Sequence, residues 1–482
     1  MRKPLVLLAF VTVLGACSTR ENVSPPAPVL PVPSEAQMDW HRMELNAFIH
    51  FTINTFTDKE WGFGDESPSL FNPSETNVDQ WVSTLKDAGF KGVILTTKHH
   101  DGFCLWPSKY TEHSIKNSPY KNGSGDIVRE VSEACKKHGL KFGLYVSPWD
   151  RNRADYGTPS YVEYYRNQLT ELFNSYGPVF EMWFDGANGG DGYYGGANEK
   201  RRIDGSTYYD GPTTLEMVKK LEPNVIFFSD AGPGVRWVGN ESGIAGETNW
   251  NTITPDTLHA GKAGIESLLQ TGHGNGTHWI PAEVDVSIRP GWFYHAKEDS
   301  LVKNASKLFE IYLSSVGRGS TLLLNVPPDR RGLIHENDVK ALKEWRSLID
   351  ETFKSNLAKG ASATADSWRG NSDQYSPMNL VDDDPKTYWT TDDDVRAGSI
   401  EIALGNQETI RYVVLQEYIQ LGQRIKSFNV EVERDGQWKT VAEGTTIGYK
   451  RILPLSPVEA SKIRINITDT KVCPVISNVA IY

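Results

Sequence analysis

From about residue 46 to residue 350 the chain alternates short apolar runs with amphipathic stretches, and this alternation constrains the fold more than any other feature. Runs at 46–51, 92–97, 141–147, 179–184, 225–229, 279–284 and 321–326 have the length and composition of buried strands. Helical stretches fall at 77–88, 126–138, 161–176, 214–221, 301–316 and 338–349. In 301–316, Leu301, Ala305, Leu308, Phe309, Tyr312 and Leu313 form one stripe at helical spacing. Repeated strand–helix units imply a parallel sheet with helices outside it. Seven units can be counted and an eighth strand is not legible. The expected fold is a (β/α)8-like barrel, irregular in places, with an open doubly wound sheet as the alternative. No glycine-rich fingerprint opens a helix after the first strand, which weighs against the open nucleotide-binding sheet.

After about residue 356 the helical periodicity stops. Alternating segments such as 399–404, 412–416, 428–434 and 462–467, separated by Gly, Pro and Asp turns, predict an antiparallel β-sandwich. The chain is too long for one ordinary core, so two domains are expected, at 36–352 and 356–482. The run Leu380-Val381-Asp382-Asp383-Asp384-Pro385-Lys386-Thr387-Tyr388-Trp389-Thr390 resembles the discoidin or family 32 carbohydrate-binding module. That family often holds a structural calcium with this acidic turn and a carboxylate near the C-terminus, where this chain has Asn478.

The N-terminus reads as a targeting segment. Met1-Arg2-Lys3 precedes an apolar stretch from Leu5 to Leu14 and then Gly15-Ala16-Cys17, the layout of a secretory signal too short to span a membrane. Leu14-Gly15-Ala16-Cys17 resembles a bacterial lipobox, which implies a lipoprotein signal over residues 1–17 in which Cys17 becomes the lipidated first residue of the mature chain; a plain signal peptide is the alternative. Residues 18–35 are proline-rich and predict an extended tether. The expected location is the bacterial cell envelope, periplasmic or cell-surface, with membrane contact only through that lipid. A net charge of -11 with no basic run excludes nucleic acid as a partner. Cys104, Cys135 and Cys473 are scattered and make no disulfide framework, and no CxxC or HExxH spacing suggests a metal.

The chemistry is expected at the strand ends. Val179 to Phe184 is an apolar run that ends in Asp185 and then a glycine-rich stretch. A carboxylate at the end of a buried strand is costly unless it is used, and parallel barrels place catalytic groups at the C-terminal strand ends. His50, the pair His99–His100, and the segments Tyr145–Asp150, Arg236–Gly243 and Pro281–Trp292 reach the same mouth. Taken singly, His50 is a core histidine, Trp149 and Trp292 are packing, and Glu241 is a solvated loop acid. Taken together, two acids, three histidines and several of the chain's 14 Trp and 20 Tyr suit glycoside hydrolysis, which needs two carboxylates in opposite protonation states and aromatic walls.

These residues carry a resemblance. The strand ending in His50, the His99–His100 pair and Trp183-Phe184-Asp185 are similar to the α-L-fucosidases of glycoside hydrolase family 29. The resemblance implies a retaining hydrolase that needs no cofactor, with Asp185 as nucleophile and His50, His99, His100 and Trp183 on the fucose hydroxyls. The 279–292 segment and the 237–243 loop look most like the subfamily acting on α-1,3 and α-1,4 fucose in Lewis-type branches, with Glu241 as acid/base; Glu283, Asp285 and Glu247 stay open for that role. The expected partners are fucosylated oligosaccharides or glycoconjugates. Trp149, Phe51 or Trp292 would wall the fucose methyl and Trp61 would stand at the rim. Glu283, Asp285 and Arg289 would read a neighbouring galactose, unless Arg289 forms an internal ion pair with one of those acids. Donors such as histidines or a guanidinium would hold the Asp185 pKa down, and partial burial would raise that of Glu241. The loop Gln416–Arg424 is polar and aromatic, and it either helps to form the site or is a solvated hairpin. The other readings are a broad-specificity fucosidase and an inactive surface glycan-binding lipoprotein.

Overall fold

The computed structural model describes residues 23–188, 193–256 and 258–482. Cys17 and the signal segment lie outside the described residues. Eight parallel strands close a barrel: β1 (Leu45–Ile49), β2 (Gly92–Lys98), β3 (Lys141–Val146), β4 (Glu181–Trp183), β5 (Ile226–Ser229), β6 (Val235–Trp237), β7 (Ala282–Ser287) and β8 (Thr321–Asn325). Each strand pairs with its neighbours in sequence, and β8 pairs with β1.

The strand missing from the sequence count is β6. It is three residues long and follows β5 after only Asp230-Ala231-Gly232-Pro233-Gly234, with no helix between. Gly232 has φ 101°, a conformation open to glycine. Trp279, read as part of a barrel strand, instead pairs through a short ladder, 278–279 with 252–253, before β7 begins at Ala282.

Helices cover the outside of the barrel. Helix α4 (Ile127–His138) begins at Asp126, whose side chain accepts from Arg129 N, and ends at Gly139 with φ 69°. Its apolar face, Ile127, Val128, Val131, Ala134 and Cys135, is buried. Helix α1 (Glu35–Met43) crosses the N-terminal end of the barrel and puts Trp40 inside it. The other helix that matters for the site is α8 (Ala305–Ser314).

The C-terminal region is the expected antiparallel sandwich, with its own core around Trp389, Ile400, Val413, Phe428 and Ile465. The segments 399–404 and 412–416 are two halves of one strand, Gly398–Glu417, broken by register shifts after Ala403 and Ile410. It pairs along its length with Arg451–Thr470. Residues 23–34 contain no helix or strand and lie partly on this domain: Tyr375 Oη donates to Val23 O, and Val29 N to Leu421 O. Among the described residues no helix is long and apolar enough to cross a membrane.

The carboxylates of the acidic turn have partners within the protein. Asp382 caps Asp384 N and Thr387 Oγ1, Asp383 pairs with Lys359, and Asn478 donates to Gln416. Among the described residues no group of three or more acidic, His or Cys side chains could hold an ion.

Candidate active site

A cavity of about 600 Å³ opens at the C-terminal ends of the barrel strands. His50, Trp61, His99, His100, Trp183, Asp185, Glu241, Asp285 and Trp292 line it, so nine side chains named from sequence meet there. Phe48, Glu60, Tyr145, Phe228, Asp230 and Trp237 complete the wall.

Asp185 stands two residues beyond the end of β4. Tyr145 Oη donates to its Oδ2 (2.8 Å) and Ala187 N to its Oδ1 (2.8 Å). His100 Nε2 lies 3.8 Å from Oδ2. Burial pushes the Asp185 pKa up to about 6, opposed by the Ala187 and Tyr145 donors and assisted by the charges of Asp230 and Glu241. The donors that favour its ionised form are therefore a tyrosine and a backbone amide, where histidines or a guanidinium were expected.

The three histidines are neutral. Burial lowers His50 to about 3 and holds His99 and His100 well below the usual histidine range. Their partners assign the tautomers. Asn325 gives its amide hydrogens to Ser287 Oγ (2.9 Å) and Trp292 O (2.8 Å), so its oxygen faces His50 Nδ1 (2.8 Å) and that nitrogen carries the hydrogen. Ser147 donates to Trp149 O (2.8 Å) and so accepts from His100 Nδ1 (2.7 Å). His99 Nδ1 instead meets the Asn54 amide nitrogen (3.3 Å), which also bonds Glu60 O, so Nδ1 accepts and Nε2 carries the hydrogen. The free ring nitrogens are thus an acceptor on His50, a donor on His99 and an acceptor on His100. Hydroxyl groups both give and take hydrogen bonds, and such a set suits a polyol.

Trp183 forms part of the wall, stacked on Phe228 at 3.6 Å between centroids. Its indole N–H donates to Glu283 Oε1 (2.8 Å). Glu283 is fully buried and does not line the cavity. It lies one side-chain layer below, because alternate residues of a strand share a face: Trp183 and Asp285 reach the cavity, while Glu181 and Glu283 point into the barrel beneath them. There the two carboxyls meet, and Trp40 Nε1 donates to Glu181 Oε2 (3.1 Å). Burial and the adjacent Glu283 push Glu181 far above the usual carboxylate range.

Four placements differ from expectation. Arg289 points away from the cavity and pairs with Asp338 (2.5 Å) and Asp299 (2.9 Å), not with Glu283 or Asp285. The expected galactose-reading cluster is therefore dispersed, and only Asp285 reaches the cavity. Trp149 is buried behind His100, 4.5 Å between ring centroids, and supports that ring without lining the cavity. Phe51 packs in the outer core against Phe56, Phe71 and Trp81. Glu247 is held between Arg318 and Arg451 outside the cavity, which removes it from the acid/base candidates.

Glu241 lies on the loop after β6. It is exposed, without the expected partial burial, and Trp292 Nε1 donates to its Oε2 (3.2 Å). Trp292 also leans on His50, 5.3 Å between centroids. Its own backbone is held by Glu60, which accepts from Trp292 N (2.8 Å), Phe293 N (3.1 Å) and His295 Nε2 (2.7 Å). Asp285 is buried, and Trp237 Nε1 donates to its Oδ1 (2.9 Å). Burial and the Glu241 charge hold its pKa well above the usual range, which favours the protonated form that can donate a hydrogen bond.

Sequence reasoning missed Glu60 and Asp230, and it placed the segments containing Tyr145 and Trp237 at the mouth without giving either residue a role. For Tyr145 a signal existed: on β3 it is two residues before Ser147, hence on the same inward face at the strand end.

The comparisons agree with this geometry. The sequence model "Alpha-L-fucosidase" matches residues 23–349, and the "F5/8 type C domain" matches 360–478. The chain is 43% identical over 462 residues to Alpha-L-fucosidase 1 of Arabidopsis thaliana, covering 95% of this chain and 88% of that one. A glycoside hydrolase 29 family member from an unknown rumen bacterium superposes with a TM-score of 0.84 at 44% identity, over 95% of this chain and 78% of the other. A Ruminococcus gnavus GH29 fucosidase in complex with fucose gives 0.86 at 37% identity, over 96% of each chain. With a closed barrel, a polyol-suited cavity around Asp185 and these matches, the chain belongs to the α-L-fucosidase family of glycoside hydrolases.

Proposed function

We propose that the protein is a retaining exo-α-L-fucosidase that uses Asp185 as nucleophile and Glu241 as acid/base. The observation that carries this reading is that both carboxylates line the cavity formed by His50, His99, His100 and Trp183. In the first step an Asp185 oxygen bonds the anomeric carbon while the bond to the leaving oxygen breaks and Glu241 gives that oxygen its proton. In the second, water attacks the same carbon, Glu241 takes the water proton, and the bond to Asp185 breaks. Tyr145 and Ala187 stabilise the Asp185 carboxylate both before attack and on departure. The acceptor–donor–acceptor set of histidines supports binding of the fucose hydroxyls. A bound sugar would cover Glu241 and supply the desolvation that its exposed position does not.

Turnover of a fucosylated trisaccharide, with the configuration of released fucose followed by NMR, tests the reading. Release of the α-anomer first supports it. Release of the β-anomer, or no turnover by folded protein, refutes it.

The finer specificity we propose is for α-1,3- or α-1,4-linked fucose on a branched glycan. Asp285 supports it: its Oδ1 is occupied by Trp237, and its protonated carboxyl can give a hydrogen bond to a neighbouring sugar beside Glu241. Lewis-type trisaccharides should then be cleaved far faster than an α-1,2-linked or simple aryl fucoside, and Asp285→Asn should narrow that gap. Comparable efficiency on all three substrates indicates broad specificity.

We also propose a lipid anchor at Cys17, supported by the Leu14–Cys17 pattern and the proline-rich segment after it. Labelling with radioactive palmitate should be lost in Cys17→Ala; label retained in that variant excludes the site.

A further inference from the structure

Among the described residues, those lining the cavity all lie between positions 48 and 292, and none comes from the C-terminal sandwich. Yet the sandwich grips the segment that follows Glu241. Gln423 is buried, and its side-chain amide bridges two backbone positions of that segment: Asn251 N donates to its Oε1 (2.8 Å) and its Nε2 donates to Asn249 O (3.0 Å). Thr446 Oγ1 accepts from Asn249 N (2.8 Å). Arg451 donates to Glu247 O (3.0 Å), and Thr445 Oγ1 to the same oxygen (3.1 Å). From the barrel side Arg236 donates to Trp250 O (2.9 Å) and Asn249 Oδ1 (3.3 Å), so 247–251 is clamped between the two domains.

The chain between β6 and this clamp has little slack. Gly239 has φ 87° and lies so close to Glu266 O that a Cβ would sit 2.3 Å from it. Gly243, φ 81°, packs on Ile311 of α8, and Ala245 N donates to Ser314 O (2.9 Å). Glu241 lies between these glycines, exposed and accepting from Trp292 Nε1, so its side chain is not fixed by burial. Its place is set by the backbone on either side. The grip on the sandwich side is itself stiff. Glu417 accepts from Ile425 N (3.1 Å) and Gly448 N (3.1 Å), tying the Gln423 loop to the Thr446 loop, and Arg424 donates to Ala27 O (2.7 Å).

We propose that the sandwich is a positioning element for the reaction: through Gln423 and Thr446 it holds 247–251 and thereby fixes the loop that presents Glu241 to the leaving oxygen. The inference rests on the reading of Glu241 as acid/base. A proton donor must lie within hydrogen-bond reach of the oxygen it protonates, and misplacement by about 1 Å costs up to roughly a hundredfold.

The test is leaving-group dependence in the full-length protein. Gln423→Ala should lose roughly tenfold to a hundredfold in kcat on a fucosylated trisaccharide, yet stay within about twofold on a 4-nitrophenyl fucoside, which needs little protonation. Gln423→Glu keeps the acceptor for Asn251 N and should recover part of the loss. Thr446→Val, which removes the acceptor for Asn249 N, should show the same selectivity and serves if Gln423→Ala does not fold. Equal loss on both substrates, or none on either, overturns the proposal. Glu241→Ala separates the two readings. If it shows leaving-group selectivity and azide rescue while the Gln423 and Thr446 variants do not, only the positioning role fails. If it shows neither, the acid/base assignment falls and the positioning role with it.

Discussion

Trp292 gives its indole N–H to the Glu241 carboxylate while its ring leans on His50, so one side chain ties the acid/base candidate to the histidine wall. The tie crosses the mouth from the segment after β7 to the loop after β6. Trp292→Phe keeps the ring contact and removes the donor. The loss should be about fivefold in kcat on an unactivated oligosaccharide, the worth of about 1 kcal/mol for one hydrogen bond, and smaller on a 4-nitrophenyl fucoside. Steady-state rates on the two substrates measure it.

Asp185→Asn should abolish most turnover, by several powers of ten, with the fold kept. Its effect on stability has the opposite sign. Burial raises the native Asp185 pKa to about 6, above its unfolded value, so the native state binds the proton more tightly. The wild type therefore loses stability as pH rises through about 6, and the neutral amide does not. Thermal melts at pH 4 and pH 8 should show Asp185→Asn gaining on wild type as pH increases.

With Asp185 as the proposed nucleophile, ionised to attack, the acid limb of kcat/KM should follow it. Activity should rise with pH through about 6. The Tyr145 hydroxyl favours the carboxylate form, so Tyr145→Phe should shift the limb to higher pH as well as lowering the rate. A pH–rate profile of each protein decides whether the limb moves in that direction.

Below the site, Glu283→Gln and Glu283→Leu should differ. Gln keeps an acceptor for Trp183 Nε1 and offers its amide hydrogens to Glu181 in place of the bond that Glu283 accepts, and should fold and work close to wild type. Leu strands the Trp183 N–H and a buried carboxyl, costing about 1–3 kcal/mol in stability and raising KM as Trp183 loosens. Denaturant unfolding and KM measured together report both effects.

The sequence by itself determined the strand–helix alternation behind the barrel and the change to a sandwich after it, and nine of the side chains named from it meet in the cavity. The physical reason is local. A run such as 179–184 has the length and composition of a buried strand, and a strand end in a parallel barrel places Asp185 at the mouth. The sequence could not reveal β6, because three residues after a Gly-Pro-Gly turn carry no period; pairing with β5 and β7 makes them a strand.

The tertiary structure alone decided depth and partner. Glu283 and Asp285 are both inward on β7, yet one layer separates a cavity wall from a buried anchor. Arg289 met Asp338, far off in sequence, in preference to the acids beside it. The tautomers of His50, His99 and His100 followed from Asn325, Asn54 and Ser147. The Gln423 bridge to Asn249 and Asn251 spans more than 170 positions of chain. Strand and helix periods arise between near neighbours and can be read along the chain. Burial, protonation and hydrogen-bond direction depend on distant segments brought together by folding, and for these the linear order of residues carries no signal.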